Sequence, residues 1–457
     1  MKKYMTLLFI VLNLADTKAQ TWSALGSGMN QQVNCLTEYS NNLYAGGDFT
    51  FVNGTTTSAH YVAKWDGTTW SPLGTAVNSF VYSMVVYNGE LYIGGNFTTA
   101  GGNPANYIAK WNGTSWAALG SGLNNKVYSI AVYNGELYVG GDFTTAGGNS
   151  ANYIAKWNGT NWSALGAGIN GATNHSVTAM AVYNSQLVVG GKFDNADGNS
   201  IANIALWDGT IFSNFLTINN QVPPTSAAQV FSIALDNNNI IYVGGSFLYA
   251  CGSNANNIVR YNNSNCSSVG GGVSGATVLS GSVKSIAVYN GELYLGGLFT
   301  TGANGPVDVN YIIKFTGTNW TGLGWVALGN GVTGGITPKV NALCVFNSEL
   351  FVGGSFTTAG TIAAKNIAKW SGSSVGMNES NGELSISISP NPTNSTVVIN
   401  NVLNMDIEIK NTLGQTIFSK QKTENLETID LLDVSRGIYF ISIKTEKDNL
   451  VKKIIKE

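Results

Sequence analysis

Short apolar runs alternate with turns along most of the chain, and the segment from Val127 to Gly166 shows one complete unit of this pattern. The first two runs are joined by Asn134-Gly135, a dipeptide that accepts the positive φ angles of a tight hairpin turn. A polar loop follows the second run, and Asn158-Gly159 joins the third run to the fourth. The unit is therefore predicted to form four antiparallel strands. The runs are Val127–Tyr133, Leu137–Phe143, Asn152–Trp157 and Trp162–Leu165.

This unit recurs along the chain, and each copy carries a Gly-Gly pair with Phe two residues after it. Paired glycines within a strand leave room for a neighbouring backbone or a large ring. A period of roughly 50 residues is too long for a leucine-rich repeat and fits a propeller blade. We therefore predict an all-β fold, a seven-bladed β-propeller with four-stranded blades. The pairs begin at Gly46, Gly94, Gly140, Gly190, Gly244, Gly296 and Gly353.

The N-terminal and C-terminal ends of the repeat region complement each other. Thr21–Gly26 matches the fourth run of the unit, as at Asn161–Gly166, although no earlier runs precede it. The seventh unit stops after its third run, Asn366–Trp370. We therefore predict that the N-terminal strand closes the last blade, which removes the unpaired sheet edges of an open ring.

The repeats resemble the Kelch or galactose-oxidase-like propeller family over residues 21–372. The features that carry the resemblance are the Gly-Gly pair after a Tyr-rich strand and the later aromatic residues, such as Trp157 and Trp162. The repeats are also similar to secreted propeller repeats of the delta-60 type, which combine segments such as VGGDFT and NIAKW. The resemblance implies the propeller fold and does not identify an activity.

Both ends of the chain differ from the repeats. Residues 1–19 combine Lys2 and Lys3 with the apolar run Leu7–Leu14 and small residues near Ala19, which is the order of a secretory signal peptide. The run is too short to span a bilayer, and no other membrane span is predicted. We expect a propeller over residues 20–372, a linker over residues 373–382 and a C-terminal domain over residues 383–457.

The C-terminal domain lacks Trp and contains short runs typical of a small β-sandwich. It resembles the type A sorting domain of the type IX secretion system, through Ser389-Pro390-Asn391-Pro392, Asn411-Thr412-Leu413-Gly414, Arg436-Gly437-Ile438-Tyr439 and Lys452-Lys453. The resemblance implies that the type IX secretion machinery is a partner, acting through residues 383–457. It also implies that the protein is secreted or held on the outer-membrane cell surface. The alternative is an accessory sandwich used in adhesion.

Charge and cysteine content limit the function classes. The chain has a net charge of −2 and only 11% charged residues, which argues against a nucleic-acid partner. None of the four cysteines has the spacing of a zinc or redox motif. Cys251 and Cys266 belong to one repeat and replace a loop glycine and the fourth-run Trp. Two interpretations stay open for them, a disulfide or, as we favour, small buried thiols.

Repeated residues are predicted to be architectural. Glutamates recur after the hairpin turn, and we interpret them as turn residues rather than an acid/base pair. The Trp positions are predicted to pack one blade against the next. Arg260 and Arg436 are the only arginines, which is too few for a sialidase site, and His60 and His175 lack the spacing of a galactose-oxidase copper site. We predict no catalytic residue.

One irregular polar loop is the best local candidate for a site. Asp194 and Asp197 could bind Ca²⁺ through oxygen ligands, and His175, Asn195 and Asn199 are candidate binding residues around them. The alternative is an ordinary Asx-rich turn.

Loops between second and third strands are predicted to share one face with the inter-blade connections, and ligand binding is expected there. We predict a secreted or cell-surface binding or adhesion propeller for a glycan or protein. The alternative is a polysaccharide-active enzyme with its site on the same loop-rich face.

Overall fold

A computed structural model describes most of the repeat region and parts of the C-terminal domain. The described residues are 21–170, 175–220, 228–263, 265–275, 281–302, 309–317, 324–371, 387–389, 393, 395–400, 405–411, 415–421, 423–424, 426–444 and 449–456. One compact unit ends at Gly372, and the residues from Ser373 to the C-terminus belong to a second. The predicted signal peptide and the predicted linker, 373–382, lie outside the described residues.

Residues 21–371 form seven four-stranded antiparallel sheets of the kind found in propeller blades, and the strands of the first six are ordered as in the sequence. The first sheet contains Val33–Tyr39, Asn42–Gly47, Val62–Trp65 and Trp70–Pro72; the second Val81–Tyr87, Glu90–Gly95, Ile108–Trp111 and Trp116–Ala118; the third Val127–Tyr133, Glu136–Gly141, Ile154–Trp157 and Trp162–Ala164; the fourth Ser176–Tyr183, Gln186–Lys192, Ile204–Trp207 and Phe212–Asn214. The fifth contains Gln229–Leu235, Ile241–Ser246, Ile258–Tyr261 and Cys266–Ser268; the sixth Val283–Tyr289, Glu292–Gly297, Ile312–Phe315 and Trp325–Ala327; the seventh Lys339–Phe346, Glu349–Ser355, Ile367–Ser371 and Thr21–Ala24.

The loops between sheets and between second and third strands contain short two-residue strands that the sequence pattern did not predict. They arise where Gly, Asn and Thr permit tight turns inside a polar loop. These strands are Phe51–Val52, Thr57–Ser58, Thr99–Ala100, Asn103–Pro104, Thr145–Ala146, Asn149–Ser150, Ile169–Asn170, Asn195–Ala196, Ile218–Asn219, Tyr249–Ala250, Ser253–Asn254, Val273–Ser274, Thr301–Gly302, Val332–Thr333, Thr358–Ala359 and Ile362–Ala363.

The predicted closing strand is confirmed. Thr21–Ala24 pairs antiparallel with the third strand of the seventh sheet, with Trp22 opposite Trp370. The indole Nε1 of Trp22 also donates a hydrogen bond of 3.0 Å to the backbone oxygen of Leu328 in the sixth sheet. The N-terminal strand therefore completes one sheet and is tied to the preceding one.

The first glycine of each pair packs against the next sheet. A Cβ atom on Gly353 would lie 2.6 Å from Cγ1 of Val33, so any larger residue there would clash with the first strand of the first sheet. The same relation holds in every sheet, and the seven contacts form a closed cycle. The contacts are Gly46 with Val81, Gly94 with Val127, Gly140 with Val177, Gly190 with Val230, Gly244 with Val283, Gly296 with Val340 and Gly353 with Val33.

Tryptophans of the fourth strands join neighbouring sheets, as predicted. Each indole donates a hydrogen bond of 2.9–3.2 Å to a backbone oxygen that follows the fourth strand of the preceding sheet. The donors and acceptors are Trp22 with Leu328, Trp70 with Leu25, Trp116 with Leu73, Trp162 with Leu119 and Trp325 with Gly270.

The repeated glutamates make ion pairs within their own sheets. Each accepts from a third-strand lysine at 2.8–2.9 Å, a partner that the sequence did not identify. The pairs are Glu90 with Lys110, Glu136 with Lys156, Glu292 with Lys314 and Glu349 with Lys369.

The favoured interpretation of Cys251 and Cys266 as separate buried thiols is wrong, because the two residues form a disulfide. Their Cα atoms are 6.3 Å apart, since the loop after the second strand returns to the fourth strand in the same sheet. Both cysteines pack against the apolar cluster that contains Tyr183 and Phe247. Cys35 and Cys344 are free.

The C-terminal unit contains two antiparallel sheets. One has three strands, Ser387–Ser389, Thr396–Asn400 and Leu426–Asp430; the other has four, ordered Thr416–Lys420, Asp406–Asn411, Gly437–Lys444 and Asn449–Lys456. Side chains of both sheets, such as Val397, Ile399, Ile409 and Ile441, share one buried apolar cluster. All described elements of the chain are strands. Within the described residues, no helix is long and apolar enough to cross a membrane.

Candidate ligand-binding site

A β-bulge interrupts the first strand of every sheet in the repeat region. The extra residue always follows the valine near the start of that strand. In the third sheet, Val127 pairs with Gly141 and Ser129 with Gly140, so Tyr128 is left over. The second glycine of each pair permits this, because a Cβ there would collide with the backbone oxygen of the residue two positions before the bulge residue, which is Lys126 in the third sheet. Bulges redirect side chains. The seven bulge residues are Asn34, Tyr82, Tyr128, Thr178, Phe231, Lys284 and Asn341.

All seven bulge residues line one cavity of about 780 Å³, here called the ring cavity. This volume lies within the range of small-ligand pockets, about 300–1,000 Å³. Asn125 and His175 reach it from connections between sheets, and Tyr153 reaches it from a loop between second and third strands. The two kinds of connection therefore share one face, as the sequence analysis predicted.

Three polar bulge residues also hold neighbouring sheets together. Nδ2 of Asn34 donates to the backbone oxygen of Val81 at 3.1 Å, and Nδ2 of Asn341 donates to that of Val33 at 3.0 Å. The hydroxyl of Thr178 donates to the backbone oxygen of Val230. These side chains are fixed in position by the bonds that they donate.

Aromatic rings form a row from the rim into the ring cavity on the side of the second and third sheets. Tyr61 and Phe80 have ring centroids 5.8 Å apart, Phe80 and Tyr82 6.5 Å, and Tyr82 and Tyr128 5.2 Å. Phe80 is exposed, whereas the other three are half-buried. This aromatic row offers an apolar surface to a ligand that enters from the rim.

Tyr128 and Asp142 form the clearest polar pair of the cavity. The Tyr128 hydroxyl donates to Oδ2 of Asp142 at 2.8 Å. Burial, followed by this hydrogen bond and the carboxylate charge, raises the pKa of Tyr128 well above its usual range. Burial likewise raises the pKa of Tyr82. Both phenols are therefore neutral hydrogen-bonding groups at physiological pH, which suits binding and not nucleophilic attack.

Two lysines also line the cavity. Nζ of Lys284 lies 3.0 Å from the centroid of the Phe231 ring. Burial, with a smaller effect of the Lys339 charge, lowers the pKa of Lys284 to about 8. Lys192, at the end of a second strand, lines the same cavity.

The structure separates the residues that the sequence analysis grouped as one site. His175 lines the ring cavity, with its side chain 8% exposed and its ring 5.7 Å from that of Tyr153. Its Nε2 lies 3.9 Å from Oδ2 of Asp194 and has no hydrogen-bond partner among the described residues. Oδ1 of Asn195 is likewise buried without such a partner in the part of the chain that is described.

The remaining candidates lie in a tight turn. Ala196 and Asn199 exchange backbone hydrogen bonds of 3.0 Å, and Asp197 between them has a φ of 53°. Oδ1 of Asp197 accepts a hydrogen bond from the backbone of Ala167 at 2.7 Å. Within the described residues, no three His, Cys, Asp or Glu side chains are placed to hold a metal ion. Calcium binding by Asp194 and Asp197 stays a prediction.

The sequence analysis missed the bulge residues as a set. Each follows a valine at the start of a first strand, and in the seven copies the position holds two Asn, two Tyr, Thr, Phe and Lys. The only signal available was this variability within an otherwise regular repeat, and variable loop-side positions are where binding residues are often found.

Two parts of the chain match known families. Residues 387–457 match a family described as "Secretion system C-terminal sorting domain". Residues 88–112, 134–163 and 237–264 match a "Domain of unknown function (DUF5122) beta-propeller". The C-terminal match is to the sorting domain of the type IX secretion system, so the protein is handled by that machinery and exported to the cell surface or secreted.

Solved structures show similarity of fold. The extracellular domain of a protein assigned to the one component systems of B. thetaiotaomicron aligns with 13% identity and a TM-score of 0.52, covering 96% of this chain and 52% of the other. The chain thus spans about half of that structure.

Two further alignments are weaker. PorZ, a surface component of the type IX secretion system of Porphyromonas gingivalis, aligns with 12% identity and a TM-score of 0.26, covering 96% and 85% of the two chains. A catalytically inactive virginiamycin B lyase from Staphylococcus aureus, solved with quinupristin, aligns with 13% identity and a TM-score of 0.42, covering 77% and 99%. A comparison with curated proteins found no match.

Proposed function

We propose that the protein is a cell-surface or secreted binding and adhesion module whose ring cavity takes a glycan ligand. The seven sheets would be the blades of a seven-bladed, Kelch-like β-propeller. The closed cycle of glycine–valine contacts and the pairing of Thr21–Ala24 with the seventh sheet support this arrangement. Each blade buries its faces against two neighbours in such a ring.

The organisation of the chain is part of the proposal. A signal peptide over residues 1–19 directs export, the propeller covers residues 20–372, a linker covers residues 373–382 and a sorting domain covers residues 383–457. The apolar cluster shared by the two C-terminal sheets supports a β-sandwich for the sorting domain.

The observation that carries the glycan proposal is the aromatic row that leads from exposed Phe80 to Tyr82 and Tyr128 inside the cavity. A sugar ring has an apolar C–H face, which gains by burial against an aromatic face, and hydroxyls that need polar partners. Asn34, Asn341 and Thr178 supply amide and hydroxyl groups in the same cavity. A few polar groups within a partly apolar pocket are typical of small-ligand sites.

Binding has better support than hydrolysis. The common glycosidase mechanisms need two carboxyl groups flanking the scissile bond. Among the described residues that line the ring cavity, Asp142 is the single carboxylate, and the Tyr128 hydroxyl donates to it. The polysaccharide-active enzyme is therefore kept as an outcome of the test.

The test is depletion binding of the purified full chain to a panel of insoluble and soluble polysaccharides, with soluble sugar release measured in the same tubes. Retention without release is expected. Tyr82→Ala should weaken retention about tenfold, the equivalent of about 1.4 kcal/mol, because it removes the ring face. The matched variant Tyr82→Phe keeps that face and should retain most of the affinity.

Thermal unfolding of both variants checks that the fold is intact. Sugar release would replace the binding proposal with an enzymatic one. Failure of every polysaccharide to bind would overturn the glycan proposal and direct attention to a protein ligand.

A further inference from the structure

We propose that the glycan is acidic and that Lys284 and Lys192 bind its carboxylate or sulfate groups inside the ring cavity. This inference rests on the proposed glycan-binding function and specifies the class of ligand. It places the negative groups of the ligand at the fourth and sixth sheets, which carry Lys192 and Lys284, and its sugar rings at the second and third sheets, which carry Tyr82 and Tyr128.

The charge of Lys284 is unbalanced within the described residues. Its ammonium is half-buried over the Phe231 ring, and no carboxylate of the described residues lies within 4.0 Å of it. The nearby charge that affects it is another cation, Lys339. A desolvated ammonium without a counter-charge is unfavourable, and the ring face compensates only in part. An anionic ligand group would supply the missing counter-charge.

The charge of the residue that follows the glycine pair differs between sheets. The residue after the glycine pair is Asp48 in the first sheet and Asp142 in the third, and each accepts a hydrogen bond from the bulge residue of its own sheet. In the fourth sheet this position holds Lys192, which pairs with Ser176, two residues before the bulge residue Thr178. The same backbone position therefore carries an acid in the first and third sheets and a base in the fourth.

Asp142 and Asp48 do not neutralise the two lysines. Asp142, which lines the cavity, is hydrogen-bonded to Tyr128. Asp48 accepts from Asn34 and Gln32 at 2.8 and 2.6 Å. No described carboxylate forms an ion pair with Lys192. Lys284 and Lys192 can therefore each contact an anionic group of a ligand, although the whole chain has a net charge of −2.

Together these observations favour a uronic acid or sulfated glycan over a neutral one. The sugar rings would lie against Tyr82 and Tyr128, and the acidic groups would face Lys284 and Lys192. Electrostatic contacts of this kind add to specificity and to the rate of association.

The test compares each acidic probe with a neutral version of the same backbone. The full chain is titrated calorimetrically with oligogalacturonate and with its carboxyl-reduced counterpart, and separately with poly-glutamate as an acidic peptide. The acidic sugar should bind at least about tenfold more tightly than the reduced one. Lys284→Gln and Lys192→Gln should each reduce the ratio of the two affinities, and this ratio is the readout.

Lys110→Gln is the matched control, because Lys110 pairs with Glu90 on a sheet surface and does not line the cavity. It should leave both affinities unchanged. Equal binding of the acidic and reduced sugars, or an unaltered preference in Lys284→Gln, would overturn the inference while the glycan-binding function stands. Binding of poly-glutamate without binding of either sugar would overturn both.

Discussion

The ammonium of Lys284 lies 3.0 Å from the centroid of the Phe231 ring, and the two residues occupy the same bulge position in the sixth and fifth sheets. A repeat whose backbone is nearly constant thus brings a cation and an aromatic face together by changing one residue in each copy. The Lys284 ammonium is charged and partly buried, so its pKa depends on which ligand enters the cavity.

Binding of an acidic ligand should weaken as the pH rises above about 8. Burial lowers the pKa of Lys284 to about 8 in the free protein, so the ammonium is lost above that value, whereas uronic carboxylates stay ionised. An anion at Lys284 favours the charged form and raises this pKa, so binding above pH 8 takes up a proton. Titrations of oligogalacturonate at pH 7 and 9.5 measure the effect.

The charge of Lys339 also acts on Lys284, and Lys192 lines the same cavity, so Lys284→Gln is the necessary control. In this variant the change between the two pH values should largely disappear. An identical loss of affinity in Lys284→Gln would show that another group is responsible. The effect on stability has the opposite sign: the unfolded chain keeps this proton up to about 10.5, so Lys284 contributes a rise in the free energy of unfolding between pH 8 and 10.5, which is measured as the difference between the native protein and Lys284→Gln.

Trp22→Phe should loosen the closing strand. The change removes the hydrogen bond to Leu328 and leaves a buried carbonyl without its partner, which costs about 1–3 kcal/mol. The matched control is Trp116→Phe, which removes the equivalent hydrogen bond to the backbone oxygen of Leu73, between the second sheet and the first. Hydrogen exchange of the backbone amides in Ile367–Ser371, which pair with Thr21–Ala24, should accelerate in Trp22→Phe only. Equal acceleration in both variants would contradict a special role for the N-terminal strand.

Loss of the disulfide should destabilise the fifth sheet. Cys251 and Cys266 are 15 residues apart, and a loop of about this length contributes about 3 kcal/mol when closed by a disulfide. Cys266 stands where other sheets have the Trp that bonds to the preceding sheet. The double variant Cys251→Ser/Cys266→Ser should unfold at lower denaturant concentration than the native protein. Dithiothreitol should lower the stability of the native protein and leave the double variant unchanged, since Cys35 and Cys344 are free.

Much of the fold could be predicted from the sequence because the determinants are local and repeated. Asn134-Gly135 fixes a hairpin. The contact of Gly353 with Val33 and the hydrogen bond of Trp22 both have equivalents in other sheets. The disulfide was missed because Cys251 and Cys266 occupy positions that approach only after the loop folds back.

The candidate site was harder to predict. A ring of bulge residues depends on contacts between sheets that lie far apart in sequence, such as Asn341 with Val33. His175 was identified from local polarity, and it does line the cavity. The grouping with Asp197 and Asn199 followed from sequence proximity, whereas the structure uses those residues in a turn.

Photo-cross-linking of a bound sugar tests the central claim most directly. Oligogalacturonate carrying a diazirine group is bound to the full chain, irradiated, and mapped by peptide mass spectrometry. The account predicts labels on the first-strand peptides that contain Tyr82, Tyr128 and Lys284, and their suppression by excess unlabelled sugar. Competable labels confined to the outer strands of the sheets, such as Trp116–Ala118, or to residues 387–457 would contradict it.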